Sequence, residues 1–404
     1  MGAASRPVRR RLAIFTTHPI QYQAPWFRAL AATADIDARV FFSYVPDAAE
    51  QGVGFGRAVT WDIPLRDGYA NEVLPSCMAP SLVPGFARRL VGGIGSALDG
   101  FAPHAAMILG WQEFSLIEAM VACRRRGLPI ILRGESNALR ERPWYVSALH
   151  RRYFRQFDAF MAIGKANAEL YRRCGIAKER IVTAGYFVDN DRFKASAEAL
   201  VEQRDAIRKA WGILPGATVF VFVGKLEPKK CVIHFLEALR AAAGGQGERV
   251  HGLVVGTGAQ MPEAKSYVED HRLAVTFAGF MNQREIARAY VAADALVLPS
   301  DFGETWGLVV NEAMATGLPA IVSDRVGAAN DLVIDGKTGI VFPFGSRSHL
   351  ADVIVRLASC PEERLRMGAA ARAHVQSSYS IARAVEATRE AIGIAMRGRP
   401  RDRH

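Results

Sequence analysis

From residue 11 to beyond residue 320, short apolar runs rich in β-branched and aromatic residues alternate with longer stretches whose apolar positions recur every three or four residues. That alternation predicts parallel strands joined by crossover helices. In the first half "RLAIFT", "ARVFFSY", "AAMILG", "PIILRG", "DAFMAIG" and "RIVTA" read as strands. "QAPWFRALAATA", "FSLIEAMVACRRRG" and "KANAELYRRCG" read as the helices between them. The strand runs are apolar throughout, as expected of strands covered on both faces. Residues 186–218 change to a polar, charged connector, after which "VFVFVG", "RVHGLVVG", "LAVTFAG", "ADALVLPS" and "PAIVS" build a second sheet. The pattern predicts an α/β protein of two Rossmann-like, doubly wound parallel-sheet domains over 1–195 and 196–380. A last helical pattern and the basic tail "RGRPRDRH" occupy 381–404.

Composition narrows this picture. At 404 residues, half of them hydrophobic, the chain is long enough for two cores. Its five cysteines are odd in number, scattered and never arranged as CxxC, which argues against a disulfide framework or a zinc site and predicts a reducing compartment. Behind the basic N-terminus only residues 12–15 form an apolar core, shorter than a secretion signal, and no apolar run approaches the ~20 residues of a membrane span. The expectation is a cytoplasmic protein. Charge is uneven: residues 1–195 hold 26 Lys and Arg against 17 Asp and Glu, whereas 196–404 hold 25 against 23. Most of the net +11 therefore lies in the first half.

Candidate chemistry concentrates in "SDFGETWGLVVNEAMATGLPAIVSD" (300–324). A strand ending at Pro299 and Ser300 precedes it, and Leu308, Val309, Ala313 and Met314 recur at helical spacing until Gly317 and Pro319 stop the helix. Glu304 thus falls in the loop and Glu312 inside the helix. Thr305 and Trp306 lie between them, and the amides of Gly307, Leu308 and Val309 form the positive end of the helix, which favours an anion. Two carboxylates around bare amides suit a ligand carrying both hydroxyls and phosphate, such as a nucleotide sugar.

This stretch resembles the E-x7-E signature of the retaining glycosyltransferases of family 4, whose GT-B architecture sets two Rossmann-like domains facing a central cleft. The resemblance implies that Glu304 holds donor-sugar hydroxyls and Glu312 the nucleotide ribose. It also implies a donor-diphosphate role for Lys225 and Lys230 in "GKLEPKKC", which opens at Gly224. Lys225 stands there for the family's usual arginine and Cys231 for its usual glycine. Lysine keeps the charge but loses the planar fork. After the next strand, Gly256-Thr257-Gly258 allows close backbone approach. Met261 replaces the third glycine of a dinucleotide fingerprint, so a dehydrogenase reading lacks its motif. Phe280 and Met281 fall in the segment that lines the base in the family, with a packing role as the alternative.

The first half matches in architecture more than in motif. His18-Pro19 replaces the glycine pair of many relatives, which leaves His18 as an acceptor or donor contact or a structural turn residue. "LRGESNALRERPWY" (132–145) offers Arg133, Glu135 and Asn137, with Glu135 the candidate to take an acceptor proton. Asp189 reads as structural. "DID" (35–37) and "DND" (189–191) lie outside the predicted donor loops, so neither a metal nor another cofactor is expected. The implied partners are a nucleotide diphosphate sugar and a sugar, glycan or lipid-linked acceptor, as in cell-surface or exported polysaccharide synthesis. No nucleic-acid recognition motif accompanies the basic half. Arg88 and Arg89, beside a helical stripe of Phe86, Leu90, Val91, Ile94 and Leu98 that Gly92, Gly93 and Gly95 weaken, and Arg151, Arg152 and Arg155, beside Tyr153 and Phe154, suit attraction to an anionic membrane surface, with an inward-packed stripe and merely solubilising arginines as the alternative.

Overall fold

The computed structural model describes residues 9–79, 88–244 and 249–398. Their contacts divide the chain into two compact units. The first takes the described parts of Met1–Pro46, Pro64–Gly185 and Ile381–His404; the second takes those of Asp47–Ile63 and Tyr186–Ser380. A short segment of the first half, Asp47–Ile63, is therefore built into the second unit.

The first unit carries strands β1 (Arg10–Thr16), β2 (Ile36–Phe42), β3 (Ala70–Val73), β4 (Ser76–Met78), β5 (Arg89–Val91), β6 (Ala105–Ile108), β7 (Ile130–Leu132), β8 (Ala159–Ala162) and β9 (Ile181–Thr183). Seven form a parallel sheet in the order β3-β2-β1-β6-β7-β8-β9, and β4 pairs with β5 as an antiparallel hairpin. The order reverses direction between β1 and β6, the switch point of a doubly wound sheet. Every residue of β6, β7 and β8 is buried, the expected outcome of their unbroken apolar runs. Edge strand β3, "ANEV", escapes an apolar-run criterion because its residues alternate between exposed and half-buried. The helix Ile381–Arg397 packs on the helix Ala24–Ala31 and on β7, β8 and β9. Its Ala384, Val385, Ala391 and Ile392 are buried, and Arg389 holds Asp35 through bonds of 2.9 and 3.1 Å. The Arg389 guanidinium lowers the Asp35 carboxyl below its ordinary value.

One expectation fails here. The stripe read over 84–100 is not one helix: Leu90 and Val91 lie in β5, and Gly93, in the left-handed region at φ 76°, starts a separate helix, Ile94–Phe101. Ile94 and Leu98 point into the core beside Phe101, while Phe86 lies outside the described residues.

The second unit repeats the plan with β10 (Thr218–Val223), β11 (Val250–Val255), β12 (Val275–Gly279), β13 (Ala295–Leu298), β14 (Ala320–Ser323) and β15 (Gly339–Phe342). All run parallel in the order β12-β11-β10-β13-β14-β15, with the switch point between β10 and β13. The stretch read as a connector contains the helices Asn190–Glu198 and Arg204–Ala210; Asp189 caps the former by accepting from the Arg192 amide at 3.1 Å. Among the described residues no helix is long and apolar enough to cross a membrane.

Candidate functional site

Ligands of open α/β sheets bind beyond the carboxyl ends of the strands at the switch point. In the second unit those ends are Gly224 after β10 and Ser300 after β13. The two following loops are tied together. The Asp301 amide donates to the Lys229 carbonyl at 2.9 Å, and the Lys230 ammonium pairs with the Glu304 carboxylate. Both side chains are largely buried, at 15% and 12% exposure, so their pairing is little screened by water. Cys231, at φ 55°, starts the helix Val232–Ala243 in a left-handed conformation, the geometry that glycine meets without strain.

The loop after β13 turns at Gly307, φ 98°, into the helix Leu308–Thr316, whose first turn has no side-chain cap. A Cβ on Gly307 would lie 2.8 Å from Leu298 Cδ2. The amides of Leu308 and Val309 lie in that uncapped first turn at the switch point, a geometry that can accept an anion. Glu312, inside this helix, is buried at 2% exposure, and the Tyr290 hydroxyl donates to its Oε2 at 2.6 Å. Tyr290, itself buried, is not visible as a site residue from sequence. The need of a buried carboxylate for a donor is the only signal for it. Trp306 is buried, donates its indole N–H to Asn311 at 2.8 Å, and so packs the loop; Thr305 is exposed.

On the other side of β10, a Cβ on Gly256 would fall 1.9 Å from the Gly224 carbonyl oxygen, so only glycine lets these two strand ends approach. Lys225 is half-buried, and burial lowers its ammonium below the ordinary lysine value. It donates to the Val53 carbonyl. Phe280 and Met281 are both half-buried, and the Phe280 ring meets Phe55 at 4.8 Å.

Lys225, Lys230, Glu304, Gly224 and Gly256 thus gather at the carboxyl edge of one sheet, with the Glu312 helix leading out of the same loop. Cations and helix amides there can hold an anion, and the carboxylates can accept from hydroxyls.

In the first unit the sequence candidates are more dispersed. His18 Nδ1 lies 2.9 Å from the Thr17 hydroxyl, and its ring is 5.3 Å from that of Tyr44. Glu135 is exposed, whereas Arg133 and Asn137 are buried. A cluster that sequence reading misses lies nearby at the first switch point. Buried Glu113 accepts from the Ser115 hydroxyl at 2.5 Å and faces Arg89 at 3.7 Å. Ser43 donates to Ser115 at 2.9 Å, and the Arg89 guanidinium covers the Tyr44 ring at 3.5 Å. These residues come from separate stretches of chain, so no local spacing announces them.

The second unit also has relatives among known proteins. Residues 203–374 match the family described as Glycosyl transferases group 1. A GDP-mannose-dependent alpha-mannosyltransferase of Mycobacterium tuberculosis is 30% identical over 335 residues, 77% of this chain and 78% of that one. An alpha-D-kanosaminyltransferase of Streptomyces kanamyceticus is 30% identical over 55% of this chain and 57% of its own. The chain spans about half the length of several curated relatives it matches. Among solved structures, a glycosyltransferase of Rickettsia africae has a TM-score of 0.74 at 13% identity, covering 96% of this chain and 99% of that one. Anabaena HepE in complex with UDP and glucose has a TM-score of 0.70 at 16% identity, covering 95% and 100%. These likenesses establish the GT-B fold.

Proposed function

Because the chain belongs to the group 1 glycosyltransferases, we propose that it transfers a sugar, with retention of configuration, from a nucleotide diphosphate donor held by its second unit. The observation that carries this reading is the Lys230–Glu304 pair across the β10/β13 switch point. In this reading Glu304 accepts from hydroxyls of the donor sugar and Glu312 from the ribose. Lys225, Lys230 and the amides of Leu308 and Val309 hold the diphosphate. Departure of the sugar leaves charge on that diphosphate, and preorganised cations and amides stabilise it, ordinarily the largest catalytic contribution. The leaving phosphate takes the acceptor proton on the same face of the sugar, so no protein nucleophile enters. The lysines replace a divalent metal.

The test is a thermal-shift panel of UDP-, GDP- and ADP-sugars followed by transfer assays with and without chelator. One donor class is expected to stabilise the protein by about 2.7 kcal/mol at a hundredfold excess over Kd. Glu304→Gln should retain nucleotide binding while losing turnover. Absence of any shift across the panel contradicts the donor reading, and activity that needs Mg²⁺ contradicts its metal-free part.

The acceptor, in the same proposal, is a glycan or lipid-linked sugar presented at an anionic membrane. The helix Trp144–Phe154 supports this with exposed Trp144, Tyr145 and Leu149, and with Arg151, Arg152 and Arg155 exposed at its end. Near-surface cations contribute about 1 kcal/mol each at such a membrane. Co-sedimentation with anionic vesicles should fade with salt and fall when Trp144, Arg151 and Arg152 are replaced. Protein that stays in the supernatant at low salt points to a soluble acceptor instead.

A further inference from the structure

The segment Asp47–Ile63 laces together the loops that follow β10, β11 and β12. The Val53 carbonyl accepts from Lys225. The Phe55 carbonyl accepts from the Thr257 hydroxyl at 2.6 Å. Further along, the Thr60 carbonyl accepts from the Asn282 side-chain amide at 2.7 Å, and the Asp62 carboxylate accepts from the Arg284 amide at 3.1 Å. Three successive strand ends are therefore bridged by one strap.

The strap is shaped for close approach. Gly54 and Gly56 both lie in the left-handed region, at φ 85° and 67°. A Cβ on Gly54 would lie 2.5 Å from Glu227 Oε1 and 2.8 Å from Lys225 Cδ. At this φ a side chain would be strained, so glycine suits the turn that approaches the lysine. Rings converge on the same point: Phe55 meets Phe280 edge-on at 4.8 Å, Trp61 lies 6.4 Å from Phe280, and the Arg57 guanidinium is 5.5 Å from the Phe280 ring centre. The Lys225 ammonium sits 4.8 Å from the centre of the Phe55 ring.

The partners given to Lys225 are informative. A carbonyl and an aromatic face orient an ammonium without cancelling its charge. The nearby carboxylate, Glu227, pairs with Lys229 at 3.3 Å and also acts electrostatically on Lys225. Lys225 is thus held in place by the strap, through the Val53 carbonyl and the Phe55 ring.

Resting on the donor reading above, we infer that the turn over 52–57 is a built wall of the nucleotide diphosphate subsite, with Phe55 as the residue that positions Lys225. The test uses whichever of UDP, GDP and ADP wild type binds best, together with its nucleoside monophosphate, by calorimetry on the full chain. Phe55→Leu removes the aromatic face but keeps bulk, and Phe55→Tyr keeps the face. Phe55→Leu is expected to weaken the diphosphate about five- to thirtyfold, to leave the monophosphate within about twofold, and to be rescued in Phe55→Tyr. Equal losses for both nucleotides mean that the strap is only structural, and unchanged or tighter diphosphate binding means that Phe55 does not position Lys225. Either result overturns this inference while leaving the donor reading intact. Failure of wild type to bind any of the three overturns the donor reading and this one with it.

Discussion

Replacing Lys230 by alanine is expected to lower kcat/KM with a nucleotide sugar on the order of 10²–10³-fold, the effect of deleting one preorganised donor to a developing anion. Two losses coincide in this variant. The departing diphosphate loses a cation, and the Glu304 carboxylate, only 12% exposed, loses the partner that makes its burial tolerable. Lys230→Arg restores the charge without the compact ammonium and should recover part of the rate. Steady-state kinetics on the three proteins make the comparison. A change below about threefold for Lys230→Ala would remove Lys230 from the reacting phosphates.

Glu312→Ala should act on binding rather than on the chemical step. A hydrogen bond from a ribose hydroxyl to a carboxylate contributes about 1.5–3 kcal/mol, so nucleotide affinity should fall roughly tenfold to hundredfold. Tyr290→Phe offers an independent check, because it removes the hydroxyl that donates to Glu312 at 2.6 Å while leaving the carboxylate in place. A milder loss of about fivefold is expected there, that of one ordinary hydrogen bond. Calorimetry with the free nucleotide measures both. Equal affinities of wild type and Glu312→Ala would detach Glu312 from the ribose.

Much of the fold and of the donor site is legible in the amino-acid sequence, and the residues show why. Glu304, Gly307 and Glu312 lie within one strand-loop-helix unit, so their chemistry is written in consecutive positions. Lys225 and Lys230 follow a strand of six buried residues, "TVFVFV", that no helix period fits. Phe55, Tyr290 and Glu113 are opaque for the opposite reason: their partners lie far off in the chain, as Phe280 does from Phe55, and no periodic signal links such pairs; for the same reason Arg89, read from the sequence as a membrane cation, turns out to face Glu113 and Tyr44 instead. The false helix over 84–100 comes from apolar spacing alone; glycine at 92 and 93 is the contrary evidence, and the left-handed Gly93 decides the matter. Strand β15, "GIVF", has only four residues and is lost among turns.

The order in which the chain is made has a consequence for its handling in the cell. The first unit is complete through Gly185 except for the helix Ile381–Arg397, which arrives nearly two hundred residues later. At ribosomal speeds of about 5–20 residues per second, that delay is roughly 10–40 s. Throughout it, the surface of the helix Ala24–Ala31 and of β8 on which this helix packs lacks its cover, and Val385, Ala391 and Ile392, buried in the finished unit, are not yet made. Chaperones that bind exposed hydrophobic surface have that interval in which to act. A chain released before residue 381 lacks that cover and is expected to be more prone to aggregation than the full chain, which light scattering of the two would compare.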